Sequence, residues 1–169
     1  MIVSKYEITN KIGFGEFANV FLAKNKENDS DVALKMFSEK NMERIGWGQF
    51  DDNGYLNLYN NEINALKNLT LCKNNIYTCK LLDNFVITNT EDKDKYYFII
   101  MNNIEGKTLR QLINDKKILK IEAIYIIIYW LITGLKFIHE CNISHGDVLE
   151  RNVMITEDGC IQYIDFGKS

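Results

Sequence analysis

Asp147 and Asn152 sit in the stretch SHGDVLERNVMI (residues 144–155), and Asp165 follows in IQYIDFGKS. The Asp147 carboxylate is spaced to take the proton of an incoming hydroxyl, and the side-chain oxygens of Asn152 and Asp165 are hard donors suited to magnesium. Earlier in the chain, GFGEFANV places Gly13 and Gly15 where main-chain N–H groups can approach phosphate oxygens with no Cβ in the way. Lys35 ends the apolar stretch VALK, and Glu62 lies on a helical pattern from which it could pair with the ammonium and hold it against phosphate. Each feature has a plain alternative. Two glycines between strands usually make only a hairpin, a strand lysine or a helix glutamate is usually solvated, and HGD and DFG can be mere turns. The plain alternatives do not account for all of them together in this order. The chemistry indicated is that of phosphate and a divalent metal.

The elements that must position these residues are legible from periodicity. YEITNKIGFG, NVFLAKN and DVALKMF alternate as strands joined by turns, and CKLLDNFVI and KYYFIIM are two more, separated by the charged hairpin TNTEDKDK. LYNNEINALKNLTL shows Tyr59, Ile63, Leu66 and Leu69 at helical spacing. The polar stretch 38–58 reads as a loop or a partly helical insertion. Past Met101, NNIEGKT is a connector, LRQLIND a short helix and residues 121–141 a long one, followed by a hairpin of NVMIT and CIQYI around an EDG turn. The order predicts an α+β chain with a strand-rich part over 1–101 and a mainly helical part over 102–169.

Composition narrows the class. The chain has 169 residues, 46% apolar and 25% charged, with a formal net charge of −3. That balance suits a folded globular protein and gives no general basic field for nucleic acid or anionic lipid. The cysteines Cys72, Cys79, Cys141 and Cys160 form no C-x-x-C pair and only two histidines are present, so free, mostly buried thiols in a reducing compartment are expected. The N-terminal MIVSKYEITNKIG has no apolar signal core. The apolar run AIYIIIYWLI (residues 123–132) is too short to span a bilayer and reads as a helix buried on nearly all sides. A cytoplasmic location is the expectation.

Over Tyr6 to Gly167 the sequence resembles the eukaryotic-type protein kinases. Their G-x-G-x-x-G-x-V loop matches GFGEFANV with Ala18 at the third glycine, V-A-I-K matches VALK, H-R-D-x-x-x-x-N matches HGDVLERN, and D-F-G is intact. The resemblance implies a bilobal fold with a five-stranded antiparallel N-lobe carrying one helix, and a truncated helical C-lobe. It implies ATP and magnesium as cofactors. Lys35 would hold the α and β phosphates and Glu62 would pair with it, Glu39 and Glu43 being alternatives. Asp147 would be the catalytic base, and Asn152 and Asp165 the metal ligands. Ile12, Val20, Ala33 and Met154 would sandwich the adenine beneath the Gly13–Gly15 loop. Met101 would set the pocket depth, and the main chain from Asn102 to Ile104 would bond the base.

Two departures matter. Serine/threonine kinases of this kind usually carry a lysine two residues past the base, where this chain has Leu149; Arg151, four residues past it, stands where many tyrosine kinases place a cation for the transferring phosphate. Gly146 replaces the usual arginine that pairs with a phosphorylated activation segment, and the sequence stops two residues past Gly167. The expectation is thus a minimal phosphotransferase acting on a protein hydroxyl, serine or threonine before tyrosine. A nucleotide-binding regulatory module and a small-molecule kinase are the alternatives. Tyr125, Ile127, Ile128, Trp130 and Leu131 put apolar surface around the long helix, which a partner protein or a second copy of the chain would cover. Each such side chain left in water forgoes roughly 1.5–3 kcal/mol.

Overall fold

Apolar alternation in the first hundred residues becomes a single antiparallel sheet. The computed structural model describes residues 2–14, 18–38, 54–91, 93–115 and 120–169. Strands β1 (Ile2–Val3), β2 (Tyr6–Phe14), β3 (Ala18–Asn25), β4 (Asp31–Ser38), β5 (Leu81–Thr88) and β6 (Lys95–Asn102) pair in the order β1-β2-β3-β4-β6-β5. Five are the strands expected from periodicity. The sixth, β1, is two residues long and too short to show a period.

Pleating sends alternate residues to opposite faces of the sheet. Val32 and Leu34 join Tyr6, Ala23, Phe98 and Ile100 in one buried cluster, where Phe85 stacks on Phe98 at 5.0 Å and on Tyr6 at 6.1 Å. Ala33, Lys35 and Phe37 take the other face, and the register sets Val20 opposite Lys35 and Met101 opposite Ala33. Helix α1 (Gly54–Leu71) docks there: Tyr59 meets Phe37 edge-on at 5.8 Å and Tyr97 at 5.2 Å. Its expected stripe of Tyr59, Ile63, Leu66 and Leu69 is buried throughout.

The chain forms two compact units, Met1–Ile63 with Leu81–Asn103, and Asn64–Lys80 with Ile104–Ser169. The last turns of α1 and the segment after it therefore belong to the second unit. That unit adds α2 (Leu109–Asn114), α3 (Ile121–Glu140) and a three-stranded sheet of β7 (Gly106–Thr108), β8 (Val153–Thr156) and β9 (Ile161–Tyr163). Strand β7 falls where a plain connector was expected. Thr108 ends it and starts α2 through a capping box: its hydroxyl accepts from Gln111 N–H, and Gln111 Oε1 accepts from Thr108 N–H at 2.8 Å.

Tyr163 anchors β9. Its N–H donates to Tyr77 O at 2.7 Å, its hydroxyl donates to Leu131 O at 2.7 Å, and its ring lies so close to Gly134 that a Cβ there would meet Cε2 at 2.8 Å. The segment supplying Tyr77 is itself tied down by Asn75, which donates to Leu69 O at 2.9 Å and to Thr78 Oγ1 at 2.7 Å.

Two expectations change. Helix α3 is not buried on nearly all sides: only Gly134 and Ile138 are buried, whereas Tyr125, Tyr129 and Ile132 are each 64–66% exposed. The side facing Tyr163 packs, and among the described elements nothing covers the rest. Nor is the apolar run limited to ten residues; α3 is the one described helix long and apolar enough, by length and composition, to cross a membrane. The cysteines differ as well. Cys72 and Cys141 form a disulfide, leaving Cys79 and Cys160 as the free thiols. Sequence spacing could not show this, because the end of α1 and the end of α3 meet only in three dimensions. The bond removes the thiol argument for a reducing compartment.

The disulfide closes a separation of 69 residues. Thiol titration of the unfolded, unreduced protein is expected to find two reactive groups, and four after reduction. Cys141→Ser is expected to cost about 2–4 kcal/mol in denaturant unfolding, as loss of a bridge over a long loop does. Four thiols without reductant would refute the pairing.

Candidate active site

In the first unit, Lys35 and Glu62 meet. Strand β4 turns Lys35 onto the face that α1 covers, and its Nζ lies 2.6 Å from Glu62 Oε2, with both residues buried. The ammonium also sits 5.3 Å from the Phe37 ring centroid. Burial makes the pair sensitive: removing either partner takes the nearest opposite charge from a group held at low dielectric. The sheet register brings Val20, Ala33 and Met101 to the same face as Lys35. Met101 is buried, Val20 and Ala33 are partly buried, and Ile12 is 49% exposed. Gly13 pairs with Val20 across the β2–β3 ladder, beside a register shift. Gly15, Glu39 and Glu43 lie outside the described residues. Asn102 ends β6, with its Nδ2 donating to Asn103 O at 3.4 Å.

In the second unit, Asp147, Asn152 and Arg151 converge. Asn152 Nδ2 donates to Asp147 O at 2.9 Å and to Asp147 Oδ2 at 3.0 Å, while Arg151 reaches the same Oδ2 at 3.2 Å. With its NH₂ group so used, the buried Asn152 has its carbonyl oxygen left to offer. Ile164 N–H donates to Asn152 O at 3.0 Å, which sets the next residue, Asp165, beside the Asn152 segment. Asp165 is exposed and holds φ +67, a left-handed conformation. Such backbone costs an ordinary residue about 1–3 kcal/mol and collects at functional sites. Met154 is partly buried on β8, opposite Thr108 and Gln162 in the ladders, and Ile104 is partly buried just before β7.

His145 joins these pieces, a role its place in the sequence did not disclose. The ring is 1% exposed, 4.6 Å from the Phe166 ring centroid and 5.6 Å from that of Tyr163. Asp147 N–H donates to His145 Nδ1 at 3.3 Å, and His145 Nε2 lies 3.1 Å from Ile164 O. A neutral ring with its proton on Nε2 satisfies both bonds at once. Burial is the largest influence on this histidine and holds its pKa below the ordinary value, against the opposing pull of the Ile164 carbonyl. Glu150 fastens the same loop to α2, through its main-chain carbonyl to Arg110 N–H at 2.9 Å and an ion pair with the Arg110 guanidinium. The signal for both was present only as HGD and an unremarked glutamate.

Comparison with known proteins shows the family. The protein kinase domain family matches residues 6–169. The chain belongs to the protein kinase family. It is 29% identical over 166 residues to a probable serine/threonine-protein kinase of Clostridium perfringens, covering 97% of this chain and 21% of that protein. It is 26% identical over 166 residues to the serine/threonine-protein kinase PrkC of Bacillus subtilis (98% and 23%), and 30% identical over 167 residues to cyclin-dependent kinase 9-B of Xenopus laevis (98% and 42%). The chain thus spans less than half the length of these curated relatives.

Within this kinase family the α+β architecture is the expected one, with the two-residue β1 as an addition. Among the described residues no group of three or more His, Cys, Asp or Glu side chains forms a metal cage. Magnesium held together with nucleotide phosphates needs none, since one or two protein oxygens suffice. Asn152, with its amide nitrogen engaged and its oxygen left over, and the exposed Asp165 carboxylate fit that donor set.

Glu62→Ala is expected to destabilise the fold by about 3–5 kcal/mol in denaturant unfolding, because the Lys35 ammonium stays buried. His145 makes a pH prediction. Its folded-state pKa is lowered, so the stability it contributes is present above the unfolded value of about 6.5 and is lost as the pH falls through the folded value. Thermal unfolding between pH 8 and 5 is expected to show a fall in Tm that begins near pH 6.5 and is smaller in His145→Gln.

Proposed function

We propose that the chain binds ATP with magnesium and transfers the γ-phosphoryl group to a hydroxyl, that of a protein serine or threonine. The observation that carries this reading is the Asp147–Asn152 pair. One carboxylate is oriented by an amide, and the hydrogen bond from Ile164 to Asn152 ties the second carboxylate, Asp165, to the same segment. In the transfer, the bond between the γ-phosphorus and the oxygen bridging to ADP breaks, and a bond from that phosphorus to the substrate oxygen forms. Asp147 accepts the hydroxyl proton. Asn152 and Asp165 are the residues that would hold magnesium, which supplies charge neutralisation at the phosphates. Lys35, fixed by Glu62, holds the α and β phosphates, and Arg151 meets charge developing on the transferring group. Ile12, Val20, Ala33 and Met154 contact the base, with Met101 limiting its depth and the Asn102–Ile104 main chain bonding its edge.

Phosphoryl transfer asks for positioning and electrostatics rather than covalent catalysis. These residue types supply both without a nucleophile. The serine/threonine names of two of the relatives above support the choice of hydroxyl.

Purified protein incubated with γ-labelled ATP, magnesium and a generic protein substrate is expected to transfer label. Asp165→Ala is expected to abolish transfer and Arg151→Ala to slow it about 10²–10³-fold, the usual cost of losing one transition-state charge contact. Full turnover in Asp165→Ala would refute the assignment. A magnesium-dependent thermal shift with ATP but no transfer would mark a binding module instead.

A further inference from the structure

Gly146 and Lys168 make a contact that the roles above leave unused. Gly146 holds φ +71, and a Cβ built on it would collide with the Lys168 main-chain carbonyl. Only glycine permits that approach. The turn presenting Lys168 is closed from both sides of its neighbour: Ser169 N–H donates to Phe166 O at 3.1 Å, and Ser169 Oγ donates to the same oxygen at 2.7 Å. Phe166 is fully buried against the His145 ring. Held this way, Lys168 brings its Nζ to 3.1 Å from Asp147 Oδ1, the carboxylate oxygen that Arg151 and Asn152 do not take. The side chains of Lys168 and Arg151 are 50% and 55% exposed, that of Asp147 only 18%. Two half-exposed cations thus flank one sheltered carboxylate. Two residues past Asp147, Leu149 contributes no charge.

We propose that Lys168 is a second catalytic cation, one that contacts the transferring phosphoryl group beside Asp147 and supplies the charge that Leu149 does not. The inference rests on the phosphotransfer reading. As the bond to ADP breaks and the bond to the substrate oxygen forms, negative charge shifts onto the phosphoryl oxygens. The Lys168 ammonium swings from Asp147 Oδ1 to meet it, freeing that oxygen to receive the hydroxyl proton. The Lys168 ammonium, half in solvent, keeps much of its hydration as it leaves the carboxylate.

Calorimetric titration with magnesium-ADP, with and without aluminium fluoride as the phosphoryl mimic, tests this without depending on turnover. The proteins are wild type, Lys168→Met, Lys168→Arg and the double variant Lys168→Met with Leu149→Lys. Wild type is expected to bind the fluoride complex more tightly than ADP alone. Lys168→Met should lose about 10–100-fold of that preference, the worth of one charged hydrogen bond, with ADP affinity and Tm unchanged. Lys168→Arg and the double variant should recover most of it, a rescue that a merely structural lysine would not show. A Lys168→Met protein that keeps the full preference overturns the Lys168 assignment and leaves phosphotransfer standing. A wild type that binds ADP but gains nothing from fluoride overturns the Lys168 assignment too, and marks the binding module named above. A chain that binds neither ligand overturns the phosphotransfer reading itself, and this proposal with it.

Discussion

A neutral imidazole buried among aromatic rings carries the second unit's chemistry. His145 has two nitrogens and two obligations, one to the main chain at Asp147 and one to the main chain at Ile164. Ile164 lies 19 residues beyond His145, and its own N–H donates in turn to Asn152 O. Were the ring to protonate, both nitrogens would be donors and the bond from Asp147 N–H would be lost. Burial against Phe166 and Tyr163 disfavours that outcome. The positions of a proposed base and a proposed metal ligand are therefore set by the hydrophobic environment of a third residue that bears no charge.

Around this join the backbone tolerates conformations it would otherwise avoid. Asp165 and Gly146 both have positive φ, one with a side chain and one without. At Gly146 the missing side chain is a steric requirement, since Lys168's carbonyl occupies the space. At Asp165 the left-handed conformation carries a cost, and the bonds on either side, from Ile164 to Asn152 and from Ser169 to Phe166, hold the segment there. Tyr163, pinned at three points, supplies the rigid strand from which this turn departs.

Much of this was legible in the sequence, for physical reasons that differ by element. The strands announced themselves because a half-buried sheet imposes a period of two, and α1 because Tyr59, Ile63, Leu66 and Leu69 recur on one helical face. Lys35, Glu62, Asp147 and Asn152 were legible because their chemistry requires particular residue types in order, and the structure brings them together in two pairs, one in each unit. What stayed hidden lacked a period or depended on distant partners. Strand β7 is three residues long, and β1 two. The exposure of α3 could not be read from its composition, because an apolar face looks the same whether covered or bare. His145, Glu150 and Lys168 each take their meaning from a residue that only folding makes adjacent.

The covalent bridge between Cys72 and Cys141 has a topological consequence. The ring it closes takes in the base of the Tyr163 anchor at Tyr77, all of α2 and all of α3, but Asp147, Asn152, Arg151, Asp165 and Lys168 lie downstream of it. Melting of the segment from Asn142 onward leaves that ring intact. The second unit's assigned residues from Asp147 to Lys168 thus lie outside the covalent ring and are held to it by hydrogen bonds, among them Tyr163 N–H to Tyr77 O and Arg110 N–H to Glu150 O.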